Sequence, residues 1–195
     1  GDQKNVVGLA FENINRMITI VSGMLDVEKV EEQATLLKPT AFELKAFFDE
    51  ITEDVRLLAA ERKILIDVHV PEGIMITAIR QSLKQAVSNV VDNALRYSQK
   101  QGTKVTITAR AANSRLSVSV ADQGIGMTEE QAAKVFTKFF RAPEAIKASP
   151  DGSGLGLYYT KRIIEQHGGS IKIESTQNVG TTVIMELPLT QPKTA

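Results

Sequence analysis

Two asparagines four residues apart, an aspartate followed by a pair of glycines, and a run of alternating glycines are the residues of this chain whose types and spacing suit chemistry. They occur in the order Asn89-Val-Val-Asp-Asn93, Asp122-Gln-Gly124-Ile-Gly126 and Gly152-Ser-Gly154-Leu-Gly156-Leu157. On a helix Asn89 and Asn93 share one face. Their side-chain carbonyl oxygens suit Mg²⁺, which also takes phosphate oxygens and waters. Asp122 ends the run Leu116-Ser-Val118-Ser-Val120-Ala, which alternates as a half-buried strand does. A carboxylate at a strand end can accept from the exocyclic amine of adenine. Gly124 and Gly126, having no Cβ, let the backbone come close to a flat base. The third motif opens an apolar-periodic segment from Leu155 to Ile164, whose backbone N–H groups and helix N-terminus would face a polyphosphate. In this order the three describe a pocket for ATP and a divalent metal.

Rival readings exist for each motif taken singly. The glycines of 152–156 are not a dinucleotide fingerprint, because Leu157 stands where a third glycine would be needed. No Walker A sequence occurs. One glycine box in isolation is an ordinary tight turn, and two asparagines are ordinary polar groups of a helix surface. Val87, Val90, Val91, Ala94 and Leu95, however, make the asparagine helix largely buried, and a buried amide needs partners.

These motifs resemble the catalytic ATP-binding domain of sensor histidine kinases, within the superfamily shared with gyrase, Hsp90 and MutL. Gln85-Ala-Val-Ser-Asn89-Val-Val-Asp-Asn93-Ala-Leu-Arg96-Tyr97-Ser98 is similar to that family's N box. Asp122 to Gly126 resembles the first glycine box, Phe136-Thr-Lys-Phe139-Phe140-Arg141 the F box, Gly152 to Leu157 the second glycine box, and Gly180-Thr181-Thr182 the final glycine–threonine element. The likeness runs from about Thr40 to Pro188.

The resemblance implies roles. Asn93 would hold Mg²⁺, with Asn89 close to the metal and phosphates. Arg96 would contact phosphate, and Tyr97 would pack on the adenine or its pocket wall. Asp122 would accept from the adenine amine, with Thr181 near the same edge. Gly124, Gly126, Gly152, Gly154, Leu155, Gly156 and Leu157 would complete the nucleotide contacts. Lys138 and Arg141 would either neutralise the γ-phosphate under a closed lid or remain solvated on a mobile loop. The lid would run from about Met127 to Gly152, with Phe136, Phe139 and Phe140 as its apolar anchors. Hydrolytic members of the superfamily open the N box with a water-activating glutamate. Here that position is Asn89, which cannot act as a general base. The γ-phosphate would therefore be kept for a histidine nucleophile, with the protein supplying position and charge neutralisation.

The N-terminal stretch reads differently. Val7, Ile14 and Val21 are spaced by seven, as are Ala10, Met17 and Met24, which predicts a long amphipathic helix. It either packs on its own domain or resembles the second helix of the family's dimerisation hairpin. On the second reading residues 1–33 are a partial hairpin, 34–190 the catalytic domain and 191–195 a tail, and the chain would associate as a homodimer through that helix. The phosphorylated histidine of such hairpins lies in an H box on the first helix. His69 and His167 are the only histidines, and neither has that context. His69 reads as a solvated strand residue and His167 as a helix C-terminal residue that complements the dipole and caps carbonyls. The phosphoacceptor helix would thus be a partner, and a response-regulator receiver domain another. Two further readings are an anti-sigma-type serine kinase and a non-catalytic nucleotide-binding scaffold.

The elements that must position these residues follow from periodicity. Leu36 to Lys38 reads as a short strand and Thr40-Ala-Phe-Glu43 as a capping box opening a helix to about Glu61. Ile64 to Val70 and Ile74 to Ala78 are strands, and Gln81 to Tyr97 is the asparagine helix. It lacks the aspartate that often opens this helix in the family, having Ile79. A hairpin turns at Asn113-Ser114, and Thr128-Glu-Glu-Gln131 caps a short helix. Ala142 to Ser153 reads as a mobile loop. A helix from Ser153 to Gln166 and a hairpin of Ser170–Ser175 with Thr181–Leu187 close the chain. Mixed strands and helices without regular βαβ alternation predict an α+β, two-layer sandwich. The resemblance implies the same fold. Zero net charge, from 23 acidic and 23 basic residues, gives no support for a nucleic-acid binder. There are no cysteines, hence no disulfides or thiolate metal sites. No apolar run is long enough to span a membrane, and a cytoplasmic domain is expected.

Overall fold

The structure is a computed structural model that describes residues 37–98, 102–150 and 152–190. The amphipathic segment of the first thirty residues, Leu36 and the 191–195 tail lie outside these, while Leu37 and Lys38, read as part of a short strand, are irregular and the first strand begins at Thr40. Twelve elements follow in order: β1 (Thr40–Glu43), α1 (Leu44–Glu61), β2 (Leu65–His69), β3 (Met75–Ala78), α2 (Arg80–Tyr97), β4 (Lys104–Ala112), β5 (Arg115–Ala121), α3 (Glu129–Ala132), α4 (Pro143–Ala148), α5 (Gly156–Gln166), β6 (Ser170–Thr176) and β7 (Gly180–Pro188). The main sheet has five strands in the order β2-β4-β5-β7-β6. Its β2–β4 pair is parallel and the others are antiparallel. This is the mixed sheet under helices that the element order predicted.

Side-chain alternation sets which face is covered. Val105, Ile107 and Ala109 of β4, Leu116, Val118 and Val120 of β5, and Val183, Met185 and Leu187 of β7 are all buried. The register places Ile107 opposite Val120 and Val118 opposite Met185, so these residues form one continuous apolar face. Leu44, Phe47, Phe48 and Ile51 of α1, Val87, Val90, Val91 and Leu95 of α2, and Ile163 and Ile164 of α5 join the same core. Both asparagine positions are therefore carried by a helix clamped along its apolar face, which fixes where its other face points.

Three local expectations change. Thr40–Glu43 is not a capping box. It pairs antiparallel with β3, Thr40 opposite Ala78, and Glu43 makes no side-chain cap. The N–H of Leu44 instead finds the carbonyl of Ile74 at 2.9 Å. No side chain caps the start of α2 at Ile79, but the imidazole Nε2 of His167 accepts from the Ile79 N–H at 3.2 Å and ties the cap residue to α5. His167 is buried, with Nδ1 on the carbonyl of Ile163 at 2.7 Å. It does cap a carbonyl, but desolvation pushes its pKa down, so the ring is a neutral bridge between α5 and α2 rather than a cation on the helix dipole. The 142–153 segment, read as a loop, contains α4.

Other local readings match. Asn113 and Ser114 both have φ near +60°, 51° and 61°, as a two-residue hairpin turn of matching twist requires. Thr128 and Gln131 form a reciprocal capping box. His69 lies exposed beside Asp67 at 3.1 Å. No helix among the described residues is long and apolar enough to cross a membrane.

Candidate nucleotide site

The C-terminal end of β5, the start of β7, the exposed side of α2 and the N-terminus of α5 converge on one cavity of about 300 Å³. Its size is that of a small-molecule site. One end is built around Asp122. Burial pushes its carboxyl up to about 6, against the opposing effect of two backbone donors. The N–H of Gly124 donates at 2.8 Å and that of Thr181 at 3.2 Å. Both bonds fall on Oδ1, and Oδ2 has no hydrogen-bond partner among the described residues. Val120, Ile173, Val183 and Met127 line the same end. An apolar end with one free acceptor oxygen is what a base with an exocyclic amine needs. Gly126 closes that end in the left-handed region at φ 57°, where a Cβ would meet the Thr176 carbonyl oxygen at 1.9 Å. No other residue type fits there.

The other end is polar. Asn89, Asn93 and Arg96 lie along one side of α2 and all line the cavity. The Arg96 guanidinium donates to the Asp92 carboxylate at 2.9 Å and to the Ser149 hydroxyl at 3.2 Å. The Asn89 amide donates to Thr160 Oγ1 at 2.9 Å. The half-buried Asn93 amide has no hydrogen bond to a described residue. Opposite them, α5 begins at Gly156, so its free N–H groups and positive dipole end open on the cavity. No cluster of three or more histidine, cysteine or acidic side chains capable of holding a metal exists among the described residues. A divalent metal in this cavity would rest on amide oxygens, phosphates and water. That donor set fits Mg²⁺, which dehydrates reluctantly and is usually held by few protein ligands.

Arg141 gathers the segment that precedes the glycines of 152–156. Its guanidinium donates to the carbonyls of Pro150 and Gly152, each at 2.8 Å, to that of Ala145 at 3.2 Å, and to that of Ser149. These bonds wrap the 142–152 segment, with α4, around one charged side chain. Arg141→Ala is expected to raise amide exchange across 142–150 roughly tenfold or more, since bonds to a charged donor contribute about 1.5–3 kcal/mol. Exchange in α2 and β5 should stay at its wild-type rate, and parallel acceleration there would mean that the arginine holds the whole domain.

The cavity brings together Asn89, Asn93, Arg96, Tyr97, Asp122, Gly126, Arg141, Gly152, Gly154, Gly156, Leu157 and Thr181 of the residues expected from sequence. Gly124 stands behind Asp122 as its backbone donor rather than in the lining. Leu155 is buried beneath the glycine loop. Lys138 lies over the Tyr158 ring, 4.9 Å from its centroid, outside the cavity wall. Sequence reasoning missed Thr160 and Ser149, the partners of Asn89 and Arg96, and the apolar lining of Val120, Ile173 and Val183. Their role depends on which elements meet, and no spacing along the chain signals it.

Residues 78–191 match the family described as histidine kinase-, DNA gyrase B- and HSP90-like ATPase. The chain is 27% identical over 174 residues to the sensor-like histidine kinase SenX3 of Mycolicibacterium smegmatis, covering 89% of this chain and 45% of that protein. It thus spans under half the length of that curated relative. Among solved structures, the catalytic domain of histidine kinase ThkA is similar at 29% identity and a TM-score of 0.70, over 80% of this chain and 98% of that one. Histidine kinase ThkA in complex with response regulator protein TrrA is similar at 26% identity and a TM-score of 0.74, over 99% of this chain and 53% of that one. Because that match covers more than half of its length, the chain belongs to the histidine kinase-, DNA gyrase B- and HSP90-like ATPase family.

Proposed function

We propose that residues 34–190 are the ATP-binding catalytic portion of a two-component sensor histidine kinase, which transfers the γ-phosphoryl group of ATP to a histidine on a dimerisation helix. The observation that carries this reading is the polarity of the cavity between α2, α5 and the ends of β5 and β7. A free carboxylate oxygen on Asp122 sits at its apolar end, and a free amide on Asn93 sits beside Arg96 at the other. Asp122 Oδ2 accepts from the adenine amine, and Tyr97 and the valines hold the ring. Asn93 and Asn89 present carbonyl oxygens to Mg²⁺, which when bound supplies charge neutralisation at the phosphates. Arg96 exchanges its Ser149 hydroxyl for a phosphate oxygen. The N-terminus of α5 and the glycines of 152–156 cradle the remaining oxygens. Lys138 and Arg141 reach the γ-phosphate only when the lid rearranges, since one is held on a ring and the other on the lid's own carbonyls.

Transfer itself asks little of this domain. A neutral imidazole nitrogen of the acceptor helix attacks the γ-phosphorus. The N–P bond forms, the bond to the ADP oxygen breaks with its electron pair leaving on ADP, and the ring proton is released. Asn89 offers no base to activate water, so hydrolysis is slow. We assign residues 1–33 to the second hairpin helix, through which the chain forms a homodimer, and 191–195 to a tail. The phosphoacceptor helix and a receiver domain are the proposed partners, the latter by likeness to the ThkA–TrrA complex, and the reaction is cytoplasmic.

The test is a calorimetric titration with a non-hydrolysable ATP analogue, with and without Mg²⁺, followed by incubation with ATP and a supplied H-box hairpin. Metal-enhanced binding and an acid-labile phosphorylated hairpin are expected. Binding without transfer would favour a nucleotide-binding scaffold, and an acid-stable product would point to a serine kinase. A folded protein that binds no nucleotide would sink the reading.

A further inference from the structure

Asn89 faces the phosphate end of the cavity with an amide that carries both a donor and an acceptor, and only one of its two orientations suits a cation. Thr160 decides between them. It lies on α5, one turn in from Gly156, and is fully buried at 0% exposure. Its hydroxyl has a single proton, and two carbonyls lie within reach of it, Gly156 at 3.1 Å and Ala86 at 3.4 Å. With the proton so engaged, the hydroxyl oxygen offers lone pairs, and Asn89 Nδ2 donates to it at 2.9 Å. The amide nitrogen is thereby tied to Thr160, and Oδ1 is left without a hydrogen-bond partner among the described residues, free for a ligand in the cavity that Asn89 lines.

We propose that Thr160 is a positioning residue whose buried hydroxyl sets the amide orientation of Asn89, so that the carbonyl oxygen rather than the NH₂ group meets the nucleotide's divalent cation. The inference rests on the nucleotide-site reading above and extends it to a residue that touches neither nucleotide nor metal. The physical basis is that of outer-shell partners of metal ligands generally: they fix which atom of an ambidentate group is presented, and their loss costs metal affinity without removing the ligand. Glycine at 156 serves the same end. A Cβ there would lie 2.5 Å from Asn89 Oδ1 and 2.8 Å from Nδ2, so the amide fills the space that the missing side chain leaves.

The test compares wild type, Thr160→Val and Thr160→Ser. Valine keeps the branched shape without the hydroxyl, and serine keeps the hydroxyl without the methyl. Each is titrated with a non-hydrolysable ATP analogue in Mg²⁺ and again in EDTA. Thr160→Val is expected to lose about tenfold of the Mg²⁺ enhancement, with metal-free affinity within about twofold of wild type. Thr160→Ser is expected to retain the enhancement. A valine variant with wild-type enhancement would overturn the proposal, as would a serine variant that loses as much as valine, since packing would then be the cause. A wild type with no Mg²⁺ enhancement would overturn the nucleotide-metal reading together with it. Should the valine variant fail to fold, the wild-type protein answers alone. The Asn89 side-chain NH₂ resonances, assigned by difference from Asn89→Ala, are expected to show slow solvent exchange and proximity to the Thr160 methyl. Fast exchange would rule the hydrogen bond out.

Discussion

Asp122→Asn is expected to weaken adenine-nucleotide binding roughly a hundredfold or more while making the empty protein more stable. The two effects have one cause. Both backbone donors to Asp122, from Gly124 and Thr181, converge on Oδ1, and an asparagine Oδ1 accepts them equally well. The substitution then places an NH₂ group where Oδ2 was, so a donor would face the donor amine of adenine. An unpaired donor–donor contact in a dry slot should cost at least about 3 kcal/mol, or roughly a hundredfold in affinity. The stability gain comes from the charge. Desolvation raises the folded-state pKa of Asp122 from 3.8 to about 6. The folded protein therefore binds more protons than the unfolded chain between these values. The stabilisation from that proton is complete below about 3.8 and is lost as pH rises through about 6. Near neutrality the buried carboxylate thus costs the fold on the order of 3 kcal/mol, which a neutral amide avoids. Thermal unfolding at pH 7 should show the variant melting above wild type, with the difference shrinking as pH falls below 6. Wild-type nucleotide affinity should fall over the same range, because a protonated Oδ2 no longer accepts. A variant less stable than wild type at pH 7 would show that the carboxylate is solvated, not held in a buried slot.

Gly156→Ala is expected to leave stability nearly unchanged and to weaken Mg²⁺-dependent nucleotide binding by about a hundredfold. At the first position of α5 alanine is a better helix former than glycine, by about 1 kcal/mol. Gly156 is not in the left-handed region, so no backbone strain opposes the change. The obstacle is the Asn89 side chain, whose three outer atoms lie 2.5–3.0 Å from the new Cβ position. Asn89 would have to swing off Thr160 and carry its oxygen away from the cation. Misplacement of about 1 Å in a site of this kind can cost about two orders of magnitude. Titration in Mg²⁺ and in EDTA separates the effects, since the adenine end should keep its metal-free affinity. Equal losses with and without metal would mean that the whole glycine loop had moved.

Much of the fold could be read from the chain because its signals are local. The Asn113-Ser114 turn needs two residues that tolerate positive φ, the Thr128–Gln131 box needs two side chains three apart, and β5 and β6 alternate in burial along their length. Thr40–Glu43 has the spelling of a capping box and is nevertheless a strand. The edge of β3 arrives from 35 residues further on, Thr40 pairing with Ala78 and Glu43 with Met75, and supplies partners that a local pattern cannot foresee. The 142–153 segment has loop composition, yet α4 forms because Arg141 gathers its carbonyls and Arg96 holds Ser149.

The site divides the same way. By itself the order of residues determined which groups line the cavity, because asparagines on one helix face, an aspartate at a strand end and glycines at a helix start are chemical statements made by neighbours in sequence. Only the tertiary structure decided how each group is presented. It placed both backbone bonds on one oxygen of Asp122, kept His167 neutral between two helices, turned Arg141 onto the carbonyls around α4 and tied the amide of Asn89 to a threonine 71 residues away. Orientation and protonation are set by partners across space and by burial, and neither quantity exists until the core has closed.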